Sequence, residues 1–383
     1  MKFVIAPDSF KGSMTAKEVA DSIASGIKKV FPSAEYELVP MADGGEGTVQ
    51  SLVDATDGKL LKKEVIGPLG NKVIATYGLL GNKKTAVLEM AQASGIGYID
   101  SKTQNPLKAT TYGTGELIID ALDHGVSKII LGIGGSATND GGAGMAQAIG
   151  IKLLDINGHQ LSFGGGELDK LYHIDLRQLD KRLADTEILI ASDVVNPLIG
   201  PNGASVVFGP QKGATPEMVK KLDLNLQHYA IVIKKELGKD LAEFPGAGAA
   251  GGLGAGLLAF TNAKMSRGID IVVEYSRLRE KSQNADFVFT GEGGIDFQTK
   301  FGKTPYGVAL ATKKVSPNAP VIVLAGNVGK DIDTLYQKEA IDAIFATVTG
   351  AKSLKQAFAD GSKDVAQTSE NIARLIAAMP KIN

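Results

Sequence analysis

The chain of 383 residues has no cysteine. That excludes disulfides, thiolate nucleophiles and cysteine-ligated metals or clusters, and it fits a reducing, cytoplasmic setting. Its four histidines are dispersed, with no H-E-x-x-H or other metal-binding spacing. His124 precedes Gly125 at an expected helix end, where a solvated capping role is the default. Arginine is scarce, and none precedes Arg177, so any side-chain capture of an anion before that point falls to lysine. Long apolar runs are missing too. The longest, GAGAAGGLGAGLLAF at 246–260, is broken by glycines and falls short of the roughly 20 residues of a membrane span. The opening MKFVIAPDSF turns polar too soon for a secretory leader and reads as a strand. An excess of one charge is also lacking: a net charge of −1 and a pI near 6.5 leave no basic footprint for nucleic acid. Neither a nucleic acid nor a membrane is expected among the partners, whereas a homo-oligomer is compatible with the sequence.

What is present is an ordinary globular composition, 44% apolar and 22% charged, arranged as strand, loop, helix, repeated. KFVIAPD (2–8) predicts a buried strand. TAKEVADSIASGIKKVF (15–31) has helical spacing, with Thr15 as its N-cap. EYELVPM (35–41) and a helix from 48 to 55 follow. Segment 59–90 reads as antiparallel strands joined by Gly/Asn turns, 113–125 as an amphipathic helix and 216–237 as a long one. The last third alternates cleanly: strands at 285–291, 320–326 and 342–348, helices near 305–315, 333–340 and 368–379. This is the rhythm of a parallel sheet. The expected fold is α/β with two domains. A discontinuous Rossmann-like parallel-sheet domain (1–60 and 280–383) is interrupted by an inserted mixed α/β domain (61–279), and the active site is expected in the cleft between them.

Ligands of open α/β sheets gather at the carboxyl ends of strands, and six strand ends here carry glycine with acidic or polar residues. They are APDSFKGS, MADGGEGT, GIGGSATNDGG, SDVVNPL, TGEGGID and AGNVG. Each alone is ordinary turn chemistry; together they argue for a shared cleft. The third packs five glycines with Ser136, Thr138, Asn139 and Asp140 into 132–142, an arrangement suited to holding phosphate on backbone N–H groups. Gly132, Gly134 and Ala137 also match a dinucleotide spacing, with Asp155 as the ribose acid, but the loop continues too far before a helix can begin. GKT at 302–304 is not a P-loop, because position 297 is Phe. Thr304–Pro305 still reads as a helix start, with Lys303 beside it. Carboxylates at these ends (Asp8, Asp43, Glu46, Asp140, Asp193, Glu292, Asp296) suit Mg²⁺ or proton abstraction from a hydroxyl. Lys11 sits in the same loop as Asp8. Gly248, Gly252 and Gly256, four apart, read as close backbone packing.

Taken in order, IAPDSFKGSMTAKEVADSI, PMADGGEGT, ATTYGTGELI, GIGGSATNDGGAGMAQAIG, SDVVNPLIGPNGAS, FGPQKGAT, GAGAAGGLGAGL, TGEGGIDFQTKFGKTPYGVA and AGNVG resemble the bacterial class I glycerate kinase family over nearly the whole chain. The resemblance implies two α/β domains and transfer of a phosphoryl group from ATP, with Mg²⁺, to D-glycerate, giving 2-phosphoglycerate. On that footing Ser9, Asp43 and Glu46 are expected at the substrate, with Asp8, Lys11 and Asp193 catalytic. Asp193 and Asp296 are the expected metal ligands. Gly134, Gly135, Ser136, Thr138, Asn139, Gly293, Gly294 and Lys303 are expected at the nucleotide phosphates. An NAD(P)-dependent dehydrogenase of a small hydroxy acid and a non-catalytic sugar-acid sensor are the alternatives.

Overall fold

Phe3, Val4, Ile5 and Ala6 have no exposed surface, and a continuous apolar run of that length is what a strand covered on both faces requires. In the computed structural model, which describes residues 1–379, they form β1 (Lys2–Ile5), paired in parallel with β2 (Glu35–Leu38). The connecting helix, Ala16–Lys28, starts where expected. Thr15 accepts from the Glu18 amide while Glu18 reaches back to the Thr15 amide, a capping box. Val19, Ala20, Ile23, Ala24 and Ile27 form its buried stripe.

The chain then enters a second unit. There β3 (Lys59–Ile66), β4 (Lys72–Leu79) and β5 (Thr85–Glu89) make the expected antiparallel meander. β6 (Lys128–Gly132) joins β5 in parallel, and β7 (Lys152–Leu154) with β8 (His173–Asp175) forms a separate ribbon. β9 (Glu187–Ala191) and β10 (Ala263–Ser266) complete the main sheet in the order β10-β9-β6-β5-β4-β3. The chain returns with β11 (Phe287–Ile295), β12 (Val321–Val328) and β13 (Ala343–Ala346), which extend the first sheet to β13-β12-β11-β1-β2, parallel throughout.

The two units are Met1–Asp57 with the chain from Arg267 on, and Gly58–Ser266. The second exchange therefore comes earlier than residue 280. Gly268 explains it: a Cβ there would lie 1.8 Å from the Asp43 carbonyl oxygen, so the helix Gly268–Tyr275 is seated on the first unit. Counted within that unit, the strand order is 2-1-3-4-5, one of the two common doubly wound orders. Its switch point lies between β1 and β11.

Two helix expectations fail locally. Residues 333–340 hold only the 3₁₀ turn Ile332–Leu335, because Leu335 and Ala340 are the buried apolar positions there and do not make a helical stripe. The final helix, Gly361–Ala378, begins earlier than 368. Its first turn is polar, and its buried Asp364 is satisfied by Lys352 and Thr349.

Candidate functional site

Past Ile5 the backbone keeps its place by ladder-like bonds: the Ala6 amide donates to the Phe289 carbonyl and the Asp8 amide to that of Gly291, at 2.7 and 2.8 Å. Asp8 is thereby fixed at the carboxyl end of β1, beside the Glu292–Gly294 end of β11. That is the switch point, and a cavity of about 740 Å³ opens there. Asp8, Ser9, Lys11, Asp43, Glu292, Gly293, Gly294 and Lys303 all line it. A smaller hollow of about 370 Å³ shares Asp8, Ser9 and Lys11 with it and adds Glu46. The three expected substrate residues thus divide: Asp43 faces the larger space, Glu46 the smaller, and Ser9 both. Gly294 leaves the cavity wall bare, since a Cβ there would have nothing nearer than the Asn327 carbonyl oxygen at 4.0 Å.

Asp8 is held from two sides. The Ser9 amide donates to its Oδ1 and the Thr304 hydroxyl to its Oδ2, both at 2.6 Å. Burial nevertheless pushes its pKa up to about 6, with the nearby Asp43 charge adding to the rise. Thr304 was expected to cap its helix; its hydroxyl is committed to Asp8 instead, and the N-cap is Lys303, with Thr304 and Pro305 opening Thr304–Lys313. Glu292 had been noted as a strand-end acid without a role. It accepts from the Thr299 hydroxyl at 2.8 Å, pairs with Lys303 at 3.6 Å, and is pushed up to about 7, mainly by burial. Two carboxyls poised near neutrality in one cavity are the signature of groups able to exchange protons with a ligand. Asp296, where β11 ends, is half-buried, and its Oδ1 accepts from the Gln298 amide at 2.8 Å.

The glycine loop 132–142 belongs to the second unit. Its tip, Gly134–Gly135, is exposed, but the rest turns inward. Thr138, Asn139 and Asp140 have no exposed surface. Asp140 accepts from the Thr111 amide and hydroxyl and from the Gly142 and Gly144 amides, at 2.8 to 3.2 Å. Asn139 Nδ2 donates to the Ser205 hydroxyl at 2.9 Å. Gly141 and Gly142 have φ of +65° and +77°, which suits glycine. Cβ atoms at Gly252 and Gly256 would lie 2.8 and 2.6 Å from the Gly141 Cα and carbonyl oxygen, the close packing expected of the 246–257 glycines. Beneath the loop lies a residue given no role beforehand. Lys212, 1% exposed, donates to the Ser136 hydroxyl at 2.7 Å and the Thr138 carbonyl at 2.6 Å, and burial brings its pKa down to about 7. FGPQKGAT carried it in the sequence, but nothing marked that lysine as buried. Asp193, after β9, is exposed. Asp155 closes its own turn, accepting from the Asn157 and His159 amides.

A sequence model of the glycerate kinase family matches residues 3–377. The chain is 53% identical over 370 residues to a glycerate kinase of Halalkalibacterium halodurans, covering 97% of each protein. It is 50% identical over 377 residues to the glycerate 2-kinase of Escherichia coli K12, covering 98% of each. Its fold matches a crystal structure described as glycerate kinase 2 from Salmonella typhimurium LT2 with a TM-score of 0.91 at 48% identity. That match covers 99% of this chain and 98% of the other.

Proposed function

The chain is a kinase of the glycerate kinase family, and on that premise we propose that it transfers the γ-phosphoryl group of ATP to the 2-hydroxyl of D-glycerate, giving 2-phosphoglycerate and ADP. The observation that carries the reading is the switch-point cavity, where Asp8, Lys11, Glu292 and Lys303 meet bare glycine backbone. Phosphoryl transfer asks a protein mainly for positioning and for stabilisation of charge. Lys11 and Ser9 hold the glycerate carboxylate. Asp8, kept in orientation by Ser9 and Thr304, accepts the proton of the attacking hydroxyl. Its pKa near 6 leaves it ionised at neutral pH yet basic enough for the task. Lys303 and the amides of Gly293 and Gly294 face the phosphates. Within the second unit, the exposed Gly134–Gly135 tip is itself assigned to phosphate, while Ser136, Thr138 and Asn139 support that tip from within.

Mg²⁺ fits the donor set as a companion of the nucleotide. Among the described residues no three acidic or imidazole groups gather into a cage, and Mg²⁺ carried on substrate phosphates asks for only one or two carboxylates. Of the two acids assigned to it, Asp296 belongs to the first unit and Asp193 to the second, and neither lines the switch-point cavity. When bound, the ion neutralises charge on the phosphate oxygens. Incubation with ATP, Mg²⁺ and D-glycerate, read by ³¹P NMR, tests the proposal. A 2-phosphoglycerate resonance with ADP is expected. The 3-phosphate, or no new ester, overturns it.

A further inference from the structure

The cavity of the first unit is chemically lopsided. One end holds Lys11, Lys303 and the carboxylates. The other is apolar, built from Phe10, Val348, Leu354 and Phe358. Leu354 and Phe358 are 70% and 42% exposed, although both are large hydrophobic side chains. They lie four apart on the helix Leu354–Ala359, which places them on one face, and both border the cavity. Their segment is tied down. The Ser13 hydroxyl donates to the Phe358 carbonyl at 2.9 Å, and Lys352 pairs with Asp360 and Asp364 at 3.0 and 2.7 Å. The Phe358 ring lies 3.1 Å from where a Cβ on Gly12 would be, so this helix also abuts the loop that carries Lys11.

Size excludes glycerate as the sole occupant. A volume of about 740 Å³ falls in the range of roughly 300–1,000 Å³ that holds ligands of drug size, and a three-carbon acid leaves most of it empty. A ligand that fills the space is apolar at one end and anionic at the other.

We propose that the apolar end, formed by Phe10, Val348, Leu354 and Phe358, receives the purine base of the phosphoryl donor, whose phosphates extend toward Lys303 and the bare Gly293–Gly294 backbone. The inference rests on the kinase reading above and adds where the nucleoside sits. It also gives a role to the segment after 347, whose sequence carries no long motif.

Calorimetric titration of the full chain and of Leu354→Asn with ATP and with inorganic tripolyphosphate tests it. Leu354 is exposed, so the substitution leaves the core intact, and equal melting temperatures verify that. ATP affinity falls about tenfold or more while tripolyphosphate affinity stays within twofold. Phe358→Leu, which keeps an apolar contact, loses less. Unchanged ATP affinity overturns the inference. So does an equal loss for both ligands, which means that the helix positions the lysines and does not touch the base, and so does a wild-type chain that does not bind ATP. The ³¹P assay keeps the two claims apart. Turnover of glycerate with ATP affinity unchanged in Leu354→Asn removes this inference and leaves the kinase reading standing. A selective loss of ATP affinity without glycerate turnover does the reverse.

Discussion

Asp8 and Asp140 both follow buried parallel strands, and both stand in loops that carry glycine and serine. Their surroundings differ completely. Asp140 has no exposed surface and spends its oxygens on four donors of its own unit. Asp8 accepts from Ser9 and Thr304 and faces a cavity shared with Lys11, Glu292 and Lys303. Burial raises the pKa of both carboxyls. At Asp140 the donors are a turn's own amides and a neighbouring threonine, so the group shapes the loop. At Asp8 open space lies alongside, so the group can act on a ligand. Composition at a strand end therefore does not separate a structural acid from a catalytic one. What separates them is space beside the carboxylate: Asp140 is closed in on every side, whereas Asp8 borders a cavity.

The largest effect expected from this contrast is on turnover. Asp8→Asn keeps size and, with the Thr304 hydroxyl turned from donor to acceptor, both contacts, but it cannot accept the proton, and kcat falls by ~10²-fold or more. The fold is kept. Because burial raises the Asp8 pKa, its ionised form is the less stable one in place, so above pH 6 the neutral asparagine costs no melting temperature. Near-normal kcat in a steady-state ADP-release assay removes Asp8 from the mechanism.

Asp140→Ala is the converse. It strands buried donors, at on the order of 3 kcal/mol in total, read as a lower urea midpoint and melting temperature. A fall in stability for Asp8→Asn as large as for Asp140→Ala erases the distinction between the two loops.

Much of this was legible in the sequence, for physical reasons that can be named. The unbroken apolar runs of β1, β11 and β12 announced a parallel sheet because strands covered on both faces have no polar side. Thr15 ahead of a helically spaced segment announced its helix. Lys11 and Asp8 could be suspected because they share a loop at a strand end. Other features depend on tertiary contact. Lys212 looks like any loop lysine until Ser136 and Thr138 close over it. Thr304 looks like a cap until its hydroxyl is seen to donate a hydrogen bond to Asp8. Asp364 made its helix look polar at the start because its partner, Lys352, lies outside that helix. Glu292 carried no role because its raised pKa comes from burial, which strand-end composition does not report.

Lys212 sharpens the comparison through stability. Its pKa in the fold is lowered to about 7, against roughly 10.4 in an unfolded chain. Between those values the unfolded state binds the proton and the folded state does not. The group therefore adds stability as pH rises from about 7 to about 10, by at most about 1.4 kcal/mol per pH unit. Its titratable neighbours are Asp140 and, through Asp140, Tyr229, whose hydroxyl burial holds well above the usual range and so neutral across this window. Lys212→Met removes the alkaline gain, which urea titrations at pH 7, 8.5 and 10 measure. An unchanged slope means that the lysine is charged in place at all three.

The smallest expected effect is also the most local. The Thr304 hydroxyl donates to Asp8 at 2.6 Å, a bond that favours the carboxylate and holds the Asp8 pKa below where burial alone would set it. Thr304→Val keeps the shape and deletes the donor, so the Asp8 pKa moves up, by about one unit or less. A base must be ionised to act, so kcat/KM falls on the acid side of the Asp8 pKa, near pH 6 in the native chain. In Thr304→Val that limb shifts to higher pH, while rates above pH 8 change little. Glu292 titrates near 7 and faces the same cavity, but its hydroxyl donor is Thr299. Thr299→Val should therefore leave the limb of Asp8 where it is. If the limb follows Thr299 and ignores Thr304, the proton acceptor is Glu292, and the β11 strand end carries the role assigned here to β1.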